Sequence, residues 1–167
     1  MGILGKHTVG IIMGSKSDLE IATEAIKLLH DFGVQADVII SSAHRTPKKT
    51  SEWASTAKDK GHSAIIAFAG AAAHLAGVVA AETNVPVIAV PIAATSLAGL
   101  DALLSMVQMP GGIPVAVMAI GKAGAKNAAL FACQLIATND IALYEELVKY
   151  RRKMAADIEE ANKALTL

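Results

Sequence analysis

Two rhythms of apolar residues alternate along the chain. Short, nearly all apolar runs at 9–13, 34–40, 63–69, 86–90 and 114–119 have the length and aliphatic content of strands buried on both faces. Between them, apolar positions recur every three or four residues and predict helices over 18–32, 47–60, 73–83, 97–108 and 123–138. In the first helix Leu19, Ala22, Ala25, Ile26 and Leu29 share a face, and Gly33 supplies the stop. Pro47 suits a first helical position and Gly61 closes that segment. Five strands each followed by a helix argue for an α/β fold around a parallel sheet. Five units are too few for an eight-fold barrel, which leaves an open, doubly wound three-layer sheet with helices on both faces. No repeat and no linker interrupts the chain, so residues 1–167 read as one domain with a core at about 8–140.

The tail at 141–165 is different. It is charged, and Leu143, Leu147, Tyr150, Met154 and Ile158 mark the apolar stripe of an amphipathic helix. That stripe covers its own subunit or reaches another. The segment 123–137 is apolar nearly all round (Ala128, Ala129, Leu130, Phe131, Ala132, Leu135, Ile136), as expected of a helix buried on every side. In a small domain this points to a subunit interface, so a tight homo-oligomer is expected.

Composition narrows the setting. Lysine and arginine (15) balance aspartate and glutamate (15), and they are scattered, so no basic patch suggests a nucleic-acid partner. Cys133 is the only cysteine, which suits a reducing compartment. The start, MGILGKHT, lacks a signal-peptide pattern, and Lys6 stands where an acylation signal after Gly2 needs Ser or Thr. The most apolar stretch, Val85 to Leu104, is broken by Pro86, Pro91, Gly99 and Asp101. No membrane span and a cytoplasmic location are therefore expected.

In open α/β sheets ligands bind beyond the carboxyl ends of the strands, and three loops there are unusually polar or unusually small. The first, Gly14-Ser15-Lys16-Ser17-Asp18, has a tight-turn glycine and hydroxyls at a helix start. It is either an anion site or a plain helix cap. The second, Ser41 to Pro47, carries His44, a candidate acid or base, and Arg45, which can grip a phosphate with two parallel hydrogen bonds. The bland alternative is a solvated loop capped by Thr46. The third, Ala69 to Gly77, has side chains small enough for backbone N–H groups to approach a ligand, and His74 either contacts that ligand or caps the helix. His7, His30 and His62 read as surface residues, Cys133 and the Met106, Met109 and Met118 group as packing, and Trp53 as an edge or interface anchor. No zinc spacing and no G-x-S-x-G elbow occurs.

The segments MGSKSD (13–18), SAHRTP (42–47), AAHLAG (72–77), QMPGGIPV (108–115) and AIGKAGAKNAAL (119–130) resemble, in order and spacing, the 5-(carboxyamino)imidazole ribonucleotide mutase family, also called PurE. The resemblance implies a flavodoxin-like subunit assembled as an octamer and acting without metal, nucleotide or flavin. His44 matches the catalytic histidine. Ser15, Asp18, Ser42, Arg45, Gly70, Ala71, His74 and Leu75 match substrate-binding positions, and Ser17 lies among them. The implied reaction moves a carboxylate from an exocyclic nitrogen to a ring carbon of one purine-pathway nucleotide, through carbon dioxide held in place. Phe68 and Ala71 stand where the family usually has glycine, and Ala76 where it often has proline. A branch that carboxylates directly from free carbon dioxide usually lacks counterparts of His74 and Pro47, so the mutase branch is expected. A flavodoxin-like phosphate-binding module is the non-enzymatic alternative; a flavin is disfavoured because the loops are nearly free of aromatics.

Overall fold

The structure, a computed structural model, describes residues 7–165. Residues 1–6, which bear the expectations about a leader and acylation, lie outside the described residues, as do 166 and 167. The chain runs β1 (Thr8–Met13), a 3₁₀ turn (Lys16–Asp18), α1 (Leu19–Asp31), β2 (Gln35–Ile40), α2 (Pro47–Ser55), β3 (His62–Gly70) and α3 (Leu75–Glu82). It continues through β4 (Val87–Ile92), α4 (Leu100–Val107), β5 (Ala116–Val117), α5 (Lys122–Ala137) and α6 (Ile141–Lys163). The strands pair in parallel in the order β2-β1-β3-β4-β5. This is the flavodoxin-like order, whose switch point between β1 and β3 opens a crevice at the carboxyl ends.

In β1, β3 and β4 the apolar runs are explained by helices on both faces, whereas β2, at the sheet edge, has no buried residue and leaves Val38 and Ile40 exposed, against the expectation of burial on both faces. Ile11 and Ile12, adjacent in β1, enter opposite core layers because successive strand side chains alternate. In one layer Val9, Ile11, Met13, Phe68 and Val90 meet Ala22, Ala25 and Leu29 of α1 and Ala128 and Ala132 of α5. In the other, Ile12, Ile65, Ala67 and Ala89 meet Trp53, Val79, Ala102 and Met106. A Cβ added at Gly124 would overlap the Ala119 carbonyl, so α5 leaves β5 along a path only glycine permits.

Several expectations need correction. Helix α2 stops at Ser55 rather than Lys60, because residues 56–61 turn back on themselves through Ala57 N–H to the Ala54 carbonyl and Gly61 N–H to that of Lys58. Strand β5 keeps only Ala116–Val117 of the expected run. Helix α4 starts at Leu100 rather than Leu97, since Ala98 and Gly99 are left-handed (φ 51° and 88°), a conformation no α-helix contains. Helix α5 has an open face at Ala123, Lys126, Asn127 and Gln134, so within one chain it is not wrapped on every side. Trp53 is buried, 5.2 Å from the ring of His62, in space left by the missing side chain of Gly10.

His62 is also buried rather than superficial, because β3 begins one residue earlier than expected and carries the imidazole into the sheet. Its Nε2 shares a 2.9 Å hydrogen bond with Asp37, and its Nδ1 has no partner among the described residues. Burial lowers its pKa against the opposing pull of Asp37. His7 is half-buried and bonds Asp140 at 2.9 Å, and the other Asp140 oxygen accepts the N–H groups of Ala142 and Leu143 at the start of α6. Cys133 lies in the core, its thiol pushed up to about 12 by burial. Helix α6 buries Leu143 and Leu147 and sets the Tyr150 ring against that of Phe32, tilted by 60° at 5.6 Å. From Arg151 to Lys163 it is exposed, Met154 and Ile158 included.

Candidate active site

The loops after β1, β2 and β3 meet at one open cleft of about 330 Å³. Its walls hold Gly14, Ser15, Ser17, Asp18, Ser42, Ala43, His44, Arg45, Gly70, Ala71 and Leu75, with Ala94 from the loop after β4.

The first loop leaves β1 as Gly14 donates to the Phe68 carbonyl at 3.2 Å. The Ser15 hydroxyl accepts the Ser17 N–H at 3.3 Å, and Asp18 accepts the Ser15 N–H at 3.1 Å, a reciprocal capping box. The Ser17 hydroxyl donates to Asp18 at 3.2 Å. The cap expected as the bland alternative is therefore real, yet the same residues line the cleft. Asp18 is buried, and burial raises its pKa. The Ser17 hydroxyl, the Ser15 N–H and the positive charge of Arg45 act in the opposite sense.

The second loop is held from beneath. The buried Ser41 hydroxyl shares hydrogen bonds with Thr46 (3.0 Å) and Thr50 (2.9 Å), and Thr46 Oγ1 accepts the Ser42 N–H at 2.9 Å. Thr46 thus locks the loop and makes no side-chain cap on α2. Arg45 lays Nη2 on the Gly14 carbonyl at 2.8 Å and ties the second loop to the first. This strut leaves the remaining donors of a five-donor guanidinium for an anion.

The third loop is shaped by close approach. A Cβ at Gly70 would come within 2.6 Å of that of Ala94. Ala71 is left-handed at φ 54°, the conformation that favours glycine. Leu75 is buried at the start of α3 and closes the apolar side of the cleft. Of the three departures from the resembled family, only Ala71 touches the cleft; Phe68 and Ala76 are buried in opposite core layers. His74 stands apart from the cleft lining. It makes no cap bond with α3, and its Nδ1 lies 3.0 Å from His44 Nε2, the rings edge to face at 78°.

Ala43 and Ala94 are wall residues that sequence reasoning missed. Ala94 was reachable through the strand-end rule applied to β4, but an alanine offers no chemistry to notice. Together the walls supply an imidazole, a guanidinium, a buried carboxylate, hydroxyls and a small apolar corner. That set can hold an anion and move a proton. Among the described residues no three His, Cys, Asp or Glu side chains converge as a metal site.

Comparison with known proteins agrees in extent. The AIR carboxylase family profile matches residues 8–157. The N5-carboxyaminoimidazole ribonucleotide mutase of Pyrococcus abyssi is 53% identical over 151 residues, 90% of this chain and 86% of the relative. That of Escherichia coli K12 is 47% identical over 152 residues, 91% of this chain and 90% of the relative. The crystal structure of Treponema denticola PurE superposes with a TM-score of 0.88 at 29% identity, covering 97% of this chain and all of that one.

Proposed function

The chain belongs to the AIR carboxylase family, and from that footing we propose that it performs the reaction its relatives are named for. It is an isomerase of purine biosynthesis that converts 5-carboxyaminoimidazole ribonucleotide to the 4-carboxylate of the same nucleotide. The observation that carries this reading is the convergence of three strand-end loops on one cleft with a single imidazole in its wall.

The chemistry follows from that wall. Protonation of the carbamate nitrogen by His44 breaks the nitrogen–carboxyl bond and frees carbon dioxide, with the bonding pair left on nitrogen. The aminoimidazole is an enamine, so its ring carbon attacks carbon dioxide and forms the new carbon–carbon bond. The displaced ring proton returns to His44, and the imidazole ends as it began. Proton count and oxidation state balance, so no cofactor is consumed. The small corner of Gly70, Ala71 and Leu75 holds the gas beside its acceptor, where a trapped molecule reacts far faster than one drawn from solution. Arg45 and Ser15 take the phosphate. Asp18, being anionic, avoids phosphate and takes the ribose hydroxyls, and Ser17 and Ser42 complete the polar wall.

The working unit on this reading is a cytoplasmic homo-octamer. Exposed Leu97, Leu100, Leu104 and Val107 around α4, and Met154 and Ile158 on α6, are apolar surfaces that a monomer leaves wet. Among the described residues no helix is long and apolar enough to cross a membrane.

The alternative of direct carboxylation from free carbon dioxide is separated by one assay. The enzyme is given carboxyamino substrate carrying ¹³C in the transferred carboxylate, in buffer stripped of bicarbonate. Rapid formation of labelled carbon-carboxylate product is expected. A reaction that stops until bicarbonate is restored would show a carboxylase instead.

A further inference from the structure

Accepting His44 as the proton carrier, we infer that His74 is a positioning residue that holds His44 by one ring nitrogen and so decides which nitrogen does the chemistry. Three observations converge. His74 Nδ1 lies 3.0 Å from His44 Nε2, with the rings edge to face. Among the described residues the His74 side chain makes no other hydrogen bond, and it does not cap α3. It is also firmly mounted, since it sits between buried Ala73 and Leu75 and its carbonyl accepts the Val78 N–H at 3.0 Å.

The consequence is a matter of valence. Each neutral imidazole carries one N–H and one lone pair. Nε2 of His44 is engaged by His74, so Nδ1, which has no partner among the described residues, is the nitrogen free to serve substrate. His44 must be an imidazolium before the carbamate is protonated. It must be neutral, with a bare Nδ1, when the ring proton is collected. With His74 Nδ1 accepting, the His44 proton that stays behind is fixed on Nε2, and the working nitrogen is left as a lone pair at the moment it must act as base. His74 then carries its own proton on Nε2. In the absence of that acceptor, neutral His44 divides between tautomers, and the fraction protonated on Nδ1 cannot collect the ring proton. Arg45, the next residue, directs its guanidinium to the Gly14 carbonyl, and Asp18 is bound by Ser15 and Ser17, so neither replaces His74 at Nε2.

The test uses the full-length enzyme with His74→Leu, which removes the acceptor, and His74→Asn, whose amide oxygen stands near the position of Nδ1. For His74→Leu the expected results are a kcat at least about tenfold lower, a displaced kcat–pH profile and product affinity within a few-fold of the unmodified enzyme. Nitrogen-15 NMR of labelled histidines should show His44 leaving its Nε2–H tautomer. His74→Asn should recover most of the rate and the tautomer. Lost product affinity at unchanged kcat would make His74 a substrate ligand and overturn the inference, as would an unaltered His44 tautomer in His74→Leu. His44→Asn is measured alongside. If it stays active, the proton-carrier reading itself fails and the inference falls with it. If it is inactive while His74→Leu keeps full kcat, only the positioning role is refuted.

Discussion

At the scale of single residues, the cleft combines groups that folding alone would not choose. Asp18 is a buried carboxylate whose pKa is raised by burial. The folded state therefore holds its proton to a higher pH than the unfolded chain does. The penalty for ionising it appears as pH rises through that interval and persists at neutrality. Asp18→Asn keeps an oxygen for the Ser15 N–H and carries no charge. It should raise the melting temperature at pH 7 while weakening nucleotide affinity about tenfold or more, the cost of losing a charged hydrogen bond; calorimetry measures both. Such residues were legible in the sequence because polar side chains at the end of an apolar strand are conspicuous. Ala43 and Ala94 were not, since they contribute only position. The partnership of His44 with His74 was illegible for another reason: the two are 30 residues apart, and only the pairing of β1 with both β2 and β3 brings their loops together.

At the scale of elements, the strands and the helices between them followed from hydrophobic rhythm, most clearly in β1, β3 and β4, because parallel strands covered on both faces cannot be polar. Their ends followed less well. The one-residue extension of β3 to His62 changes a surface imidazole into a buried one, and the left-handed pair Ala98–Gly99 delays α4; neither leaves a periodic trace. His62 gives this level its own test. The unfolded chain takes up a proton near 6.5, whereas the folded chain, which buries the imidazole with an unpartnered Nδ1, takes it only at lower pH. Between those values the unfolded state binds more protons, so stability falls as pH drops below about 6.5. His62→Gln can still donate to Asp37 and does not titrate. Its melting temperature should decline less between pH 7 and pH 5 than that of the unmodified protein, as followed by circular dichroism.

At the scale of the whole molecule, the exposed apolar side chains on α4 with its flanking loop, and Met154 and Ile158 on the outer half of α6, are the surfaces that the proposed oligomer would cover. Leu104→Glu places a charge in the first of these and should shift the mass measured by light scattering from that of the proposed octamer to smaller species. An unchanged octamer would remove α4 from the interface. On the proposed mechanism a single imidazole at the switch point of the sheet carries the proton in both halves of the reaction. The most direct measurement is the turnover of His44→Asn on the carboxyamino nucleotide, with product affinity determined in parallel. A loss of at least about a hundredfold in kcat is expected, with affinity within a few-fold of the unmodified enzyme. A variant that turns over at close to the original rate would contradict it.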